Sequence, residues 1–375
     1  MAMSSCTRWT WCDFPFMKKP WEHKNLRLCV SEEIFTLSAA QVSSLCKVPF
    51  LGVSSDAVNT GANQTTLPVD SVLSKLAFSK LAPLLHNCTA SFAHAVTFIS
   101  PFLTSGDDWL DAVMLQTVHD FPRWADEGAL LPYMARGFDQ VHPEIKDRLG
   151  RYTGVLIFNW VMMWNENKIK TADAPREWPD YLNPALKDKL VLTYPNDDDA
   201  VLFAFDLIMQ QYGETWLDGL IAQNPRWVRG TATTNTLLAR ENDTSAAASF
   251  IGSFGAGAEA PAPFQFVLPT DGQFVSWAQT AAILKQGAHP EGAKLLINFL
   301  LSDTMQSALG GWSVRKDFVQ PESFPFPANI MAVNNTSPVA FQEFMADRAR
   351  MERLRLWIES KIGTAQGLSP LEDDI

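Results

Sequence analysis

The stretch LVLTYPNDDDAVLFAFDLIMQQYG, residues 190–213, decides the fold. Leu190 to Thr193 is a short β-branched and aliphatic run that reads as a buried strand, and Tyr194-Pro195 stops it. Asn196 reads as an N-cap, with Asp197, Asp198 and Asp199 in the first helical turn, where carboxylates oppose the positive end of the helix dipole. Val201, Leu202, Phe205, Ile208, Met209 and Tyr212 then recur at helical spacing, and Gly213 ends the helix. Glu214 to Gln223 predicts a second helix, stopped by Asn224-Pro225. A strand feeding a helix through so short a turn is the unit of an α/β protein.

The pattern repeats on both sides. Asp111 to Gln116 reads as a strand, Thr117 as the cap of a helix through Trp124, and Gly128 as its C′ residue. Tyr152 to Trp164, an apolar run rich in aromatics, predicts one or two buried strands. Ser245 to Pro263 is a Gly/Ala/Ser/Pro loop in which only Glu259 is charged. Phe264–Leu268 and Ser276–Leu284 read as further strands. Pro290 stands at the first position of an amphipathic helix carrying Leu295, Leu296, Phe299 and Leu300. Ser337-Pro338 opens one long helix closed by Gly363. Strands alternating with helices predict largely parallel sheets, and there is no internal repeat. Residues 1–106 offer one helical pattern, Val72–Leu85, and no chemistry.

Composition divides the chain in two. Of its 375 residues, the first hundred carry 8 basic and 6 acidic side chains, and the remainder 22 and 35, for a net −11. That balance is a poor footprint for nucleic acid or an anionic membrane. All five cysteines (Cys6, Cys12, Cys29, Cys46, Cys88) precede residue 89, at spacings that fit neither a zinc site nor a compact disulfide framework. The first thirty residues lack the organisation of a signal peptide, and no apolar run is long enough to span a bilayer. Sequons at Asn63, Asn87, Asn242, Asn334 and Asn335 point outward.

The motifs of common enzymes are missing: no GxGxxG after a strand, no Walker loop, no HExxH and no GxSxG. The six histidines form no ligand-spaced pair. The chain therefore reads as a non-enzyme with no cofactor. The Asn196–Asp199 cluster has the oxygen chemistry of a metal site. Consecutive residues in a helical turn fan apart by about 100°, however, so capping accounts for the cluster better. A turn carrying three carboxylates favours a cationic, amine or metal-bearing ligand, with Arg226 and Arg229 near enough to reverse that sign. Trp160, Trp164, Trp227, Trp277 and Trp312 are candidates for a flat-sided pocket, and equally for the core.

Three segments carry a resemblance: DAVMLQT with FPRWADEGALLPY, then WPDYLNPALKDKLVLTYP, then ILKQGAHPEGAKLLINFLLSDTMQ. In this order they resemble extracellular solute-binding proteins of the periplasmic-binding-protein type II fold, the ferric-iron and small-solute branch in particular, secreted fungal members included. The resemblance implies two α/β lobes joined by crossing strands and closing on a ligand by hinge motion. It divides the chain into an atypical 1–106, a first lobe of 107–155 with 268–375, and a second lobe of 156–267. It implies ligand contacts from Gln116 and Thr117 on one lobe, Pro195, Asn196 and Asp197 on the other, and Arg229, Trp277 and Gln279 near the hinge. The implied partners are a small-molecule or metal-complex ligand and an ABC-type transporter, and the implied location is extracellular. Two departures stand out. Iron-binding members place adjacent tyrosines where this chain has TSAAASFIGSFGA (244–256), so iron is not assigned, and the opening strand–helix–strand of lobe one is not visible in 1–106. Two rivals stay open: an enzyme resembling the thiamine-pyrimidine synthases, and a relic that binds nothing.

Overall fold

The computed structural model describes residues 26–30, 33–37, 110–252, 263–308 and 310–367. The helical pattern at Val72–Leu85 lies outside them. Two bodies of sheet carry the architecture. In the first, strands β1 (Leu26–Val30), β2 (Glu33–Leu37), β3 (Ala112–Leu115), β4 (Thr153–Asn159) and β10 (Ser276–Ile283) run in the order β2-β1-β3-β10-β4. In the second, β5 (Val161–Asn165) lies between β8 (Ala248–Gly252) and β9 (Phe264–Val267). A parallel pair, β6 (Val191–Thr193) with β7 (Arg226–Val228), joins it through a bridge between Leu190 and Ala248.

The apolar run 152–164 is thus two strands in two different sheets, broken at Trp160. The return passes between Val267 and Ser276. The WPDYL segment clamps that return. The Glu177 carboxylate accepts from the backbone amides of Thr270, Asp271 and Gly272 at 2.6, 3.0 and 3.0 Å, and Trp178 Nε1 donates to Gln273 O at 2.8 Å. Gly272 is required here, because a Cβ would lie 2.5 Å from the Trp178 indole.

The helices are α1 (Asp120–Asp126), α2 (Asp199–Tyr212), α3 (Glu214–Ala222), α4 (Thr231–Ala239), α5 (Pro290–Leu300), α6 (Asp303–Ala308), α7 (Pro338–Ala346) and α8 (Arg348–Ile362). Helix α2 buries Val201, Leu202, Phe205 and Ile208, as its spacing demands, at roughly 1.5–3 kcal/mol for each large side chain. It ends at Gly213 with φ +81°.

Several expectations are corrected. The sheets are not largely parallel: β10 runs antiparallel to both β3 and β4, and β5 to both β8 and β9. Both crossings pass through these strands, and a chain that leaves one sheet and returns to it must run back against its outgoing direction. The loop expected over 245–263 contains β8. Ala248, Ser249, Phe250 and Ile251 in it are all fully buried. The helix after Ser337 is two helices. Asp347, at φ −84° and ψ 70°, breaks the run and caps α8 by accepting from Arg350 N at 3.0 Å. Helix α1 starts at Asp120 with His119 as its N-cap, so Thr117 is not the cap. In the first hundred residues, β1 pairs in parallel with β3 (Cys29 beside Val113), an element the sequence did not reveal.

Candidate functional site

Strand β3 is buried along its whole length and ends in two polar residues, Gln116 and Thr117, each 1% exposed. Among the described residues, neither amide atom of Gln116 nor the Thr117 hydroxyl has a hydrogen-bond partner. Thr280 of β10 pairs with Leu115, and continuing that register by one residue sets Gln116 beside Gln279. Gln279 is 1% exposed; its Oε1 accepts from Trp277 Nε1 at 3.1 Å and its Nε2 is unpartnered. The Trp277 ring lies in an aromatic group with Phe158, Trp160 and Phe341, at centroid distances of 5.6, 4.9 and 5.8 Å. At the crossing itself, Asn159 Nδ2 and Trp160 Nε1 are also buried without partners. Each such group costs about 1–3 kcal/mol of desolvation, and native proteins hold few of them. Here they gather where the two sheets exchange strands.

The other candidate residues follow β6. Pro195 is buried. Asn196 Nδ2 donates to Gly363 O at 3.0 Å, leaving its buried Oδ1 unpartnered. Asp197 and Arg229 form a bidentate pair at 2.9 and 3.0 Å. The N-cap of α2 is Asp198, not Asn196: its carboxylate accepts from the amides of Ala200 and Val201, both at 2.9 Å. Asn196 and Asp197 sit instead in a turn closed by Asp197 N donating to Tyr194 O at 3.1 Å. Asp199, in the first turn, pairs with Arg348 at 3.2 Å and with Arg355.

That arrangement changes the charge of the turn. Asp197 is balanced by Arg229, and Asp199 by two arginines of α8. Burial, with help from its acidic neighbours, pushes the Asp198 carboxyl up to about 7. Arg226 is taken by Asp243 at 3.0 Å. The three consecutive aspartates thus answer to three different partners within the chain. Among the described residues no group of three or more His, Cys, Asp or Glu side chains could hold a metal ion. Residues 244–252 bring no tyrosine to the second sheet. The nearest phenol, Tyr181, is fully buried, donates to Ser249 O at 2.8 Å, and is held well above its ordinary pKa by burial.

The structure therefore brings Gln116, Thr117, Trp277 and Gln279 together where β3 ends beside the start of β10, in the interior of the first sheet, and Pro195, Asn196, Asp197 and Arg229 together beside the second. Helix α8 reaches both neighbourhoods, since Arg348 bonds Asp199 and also lines a cavity of ≈ 720 Å³ beside His119, Asp120 and Thr280. The sequence reading named Trp160 among its candidate pocket tryptophans but missed Asn159, His119 and Asp120. A polar Asn159 inside an apolar run was the available signal for the first of these.

Residues 111–323 match the family of bacterial extracellular solute-binding proteins. Comparison with curated proteins gives no match. Among solved structures, the substrate-binding protein of an ABC transporter from Agrobacterium tumefaciens superposes with a TM-score of 0.58 at 15% identity, over 72% of this chain and 83% of that one. AfuA from Actinobacillus pleuropneumoniae, with fructose-6-phosphate bound, gives 0.53 at 19% over 72% and 88%. Iron-bound HitA from Pseudomonas aeruginosa gives 0.52 at 17% over 71% and 87%. These identities speak to the fold, an α/β architecture of the type II periplasmic-binding kind. Among the described residues no helix is long and apolar enough to cross a membrane. With more than half of its length inside the family match and its sheets exchanging strands at Trp160, the chain belongs to the bacterial extracellular solute-binding proteins.

Proposed function

We propose that the protein is a non-enzymatic, extracytoplasmic binder of a small polar solute, a cation, amine or metal complex, serving an ABC-type transporter. In this reading 107–155 with 268–375 form one lobe and 156–267 the other. The ligand lies between Gln116, Thr117, Trp277 and Gln279 on one side and Pro195, Asn196, Asp197 and Arg229 on the other. The observation that carries it is the set of buried, unpartnered polar atoms on Gln116, Thr117, Gln279, Asn159 and Trp160, whose cost a bound solute removes. Relatives by fold are described with iron or a sugar phosphate bound. Direct tyrosinate ligation of ferric iron has no support from the residues of the second sheet, so a metal would arrive as a complex. A first lobe shorter than the family's accords with β2 following β1 as an antiparallel partner instead of a helix.

Thermal shift of the full chain over amines, metal ions, thiamine-like compounds and phosphonates tests this. One class is expected to stabilise the protein, by about 2.7 kcal/mol at a hundredfold excess over Kd. Gln116→Leu should abolish that shift while leaving the free protein as stable or more so, because it removes an unpaired buried amide. Gln279→Leu should abolish it too, at a cost in stability, because it strips Trp277 Nε1 of its acceptor. No stabilisation by any class would overturn the reading.

Secretion through a glycosylating pathway, as in the fungal members resembled, belongs to the same proposal. Asn242 and Asn334 are exposed, but Asn335 Nδ2 donates to the carbonyls of Pro269 and Gly272 at 2.9 and 3.1 Å. Mass spectrometry of protein secreted from a eukaryotic host should find glycan at Asn242 and Asn334 and none at Asn335; modification of Asn335 would contradict that geometry.

A further inference from the structure

The cavity of ≈ 720 Å³ opens between the turn leading into α1, Tyr152, Thr280, the C-terminal end of α7 and Arg348. Its size falls within the roughly 300–1,000 Å³ of small-molecule sites. Part of its wall is apolar, from Val118, Ile145 and the Tyr152 ring. The polar part is uneven. Asp120 is 2% exposed, and its Oδ1 accepts from Arg123 at 2.7 Å. Among the described residues its Oδ2 has no hydrogen-bond partner and is buried, 3.9 Å from His119 Nε2, and His119 Nδ1 is likewise buried and unpartnered.

A carboxylate oxygen is an acceptor only, so the missing partner of Asp120 is a donor. Of the cations lining the cavity, Arg123 already pairs with Asp120 through Oδ1, and the others are committed elsewhere. Arg348 bonds Asp199 and Glu352 at 3.2 and 3.3 Å. Lys146 Nζ donates to the carbonyls of Phe138 and Asp139 at 2.6 and 3.2 Å. Burial lowers the His119 imidazole below its ordinary value, so it adds no charge at neutral pH. Two exposed acids, Glu144 and Glu343, stand at the rim. What the cavity lacks is a donor for Asp120 Oδ2. One carboxylate beside one imidazole is too small a ligand set for a hard divalent cation, which takes about six or more oxygens.

We propose that this cavity holds an organic cation, an aliphatic ammonium or amidinium donating to Asp120 Oδ2 with its hydrocarbon body against Val118, Ile145 and Tyr152. The proposal rests on the solute-binding reading and adds a subsite to it: none of the eight contacts proposed above lines the cavity, which adjoins them through Thr280, next to Gln279. It also places the selecting carboxylate at the start of α1, while the aspartates of the Asn196–Asp199 turn are used internally.

Calorimetric titration of the full chain near neutral pH with hexylamine, diaminobutane and guanidinobutylamine, against hexanol as the uncharged counterpart, tests it. At least one amine binds and hexanol does not. Asp120→Asn keeps the shape of the side chain and weakens amine binding by about tenfold or more, the loss of a charge-assisted bond. Ala346→Trp fills the mouth of the cavity with Asp120 intact and weakens it as well, which serves if Asp120→Asn fails to fold. Amine binding that survives both substitutions overturns the proposal and leaves solute binding standing. So does a Gln116-dependent response to some other class with no response to amines. Absence of binding by every class overturns both.

Discussion

Trp277→Ala is expected to destabilise the protein by about 3–5 kcal/mol, the range for emptying a large aromatic site in a core. Trp277 is 1% exposed and sits where β4 and β10 carry the chain between the sheets. Its ring stacks on Phe158 at an interplanar angle of 19°, touches Trp160 from the outgoing crossing, and meets Phe341 from α7. Three separate elements therefore close on one side chain, and alanine leaves a void that none can fill without moving a strand. The substitution also removes the Trp277 Nε1 donor from Gln279 Oε1, so it should weaken solute binding in the surviving folded fraction. Trp277→Phe keeps much of the stacking and gives up the hydrogen bond, for a smaller loss of about 1–2 kcal/mol. Urea unfolding of the two variants beside the parent chain measures both figures. A loss below about 1 kcal/mol for alanine would show that the crossing does not rest on this ring.

What was legible in the sequence was local. The strand of Leu190–Thr193, the apolar face of α2, the Gly213 stop and the Pro290 start all depend on neighbours within a few residues, and all stand where their spacing put them. The N-cap of α2 fell two residues away because Asn196 and Asp198 are equally good caps by type. The choice is made by Gly363 and Arg229, which take Asn196 and Asp197 from distant parts of the chain. Strand β8 was invisible for a related reason. Ala248, Ser249 and Gly252 carry no β signal of their own, and become sheet because β5 offers a ladder to them. Direction of pairing was likewise beyond reach, since a strand reads alike in either orientation. Of the candidate site, Gln116 and Gln279 came from the family resemblance, carried over by position. The demand made by Asp120 was not legible, because Gln342, Glu343 and Arg348 approach it from the far end of the chain.

Asp198 makes the strongest prediction about pH. The carboxyl is 3% exposed, caps α2 through Oδ1, and leaves Oδ2 buried without a partner. Burial raises it from 3.8 to about 7, with Asp199 and Asp197 pushing the same way and the amides of Ala200 and Val201 opposing. A folded-state value above the unfolded one means that the native protein binds the proton more tightly. The stabilisation is complete below the unfolded value of 3.8 and is lost as pH rises through about 7. At about 1.36 kcal/mol per decade of proton concentration, the loss across that window is on the order of 4 kcal/mol. Asp198→Asn retains an oxygen to accept from both amides and carries no charge at any pH, so it should remove this slope. The variant is expected to match the parent chain near pH 4 and to exceed its stability by roughly 2–4 kcal/mol above pH 7. His119, whose value burial lowers, contributes in the opposite sense below its ordinary range, but it is present in both proteins and cancels in their difference. Denaturant unfolding across that range gives the difference curve directly. Two parallel curves would mean that Asp198 reaches water, and that the turn between β6 and α2 is open where the structure shows it closed.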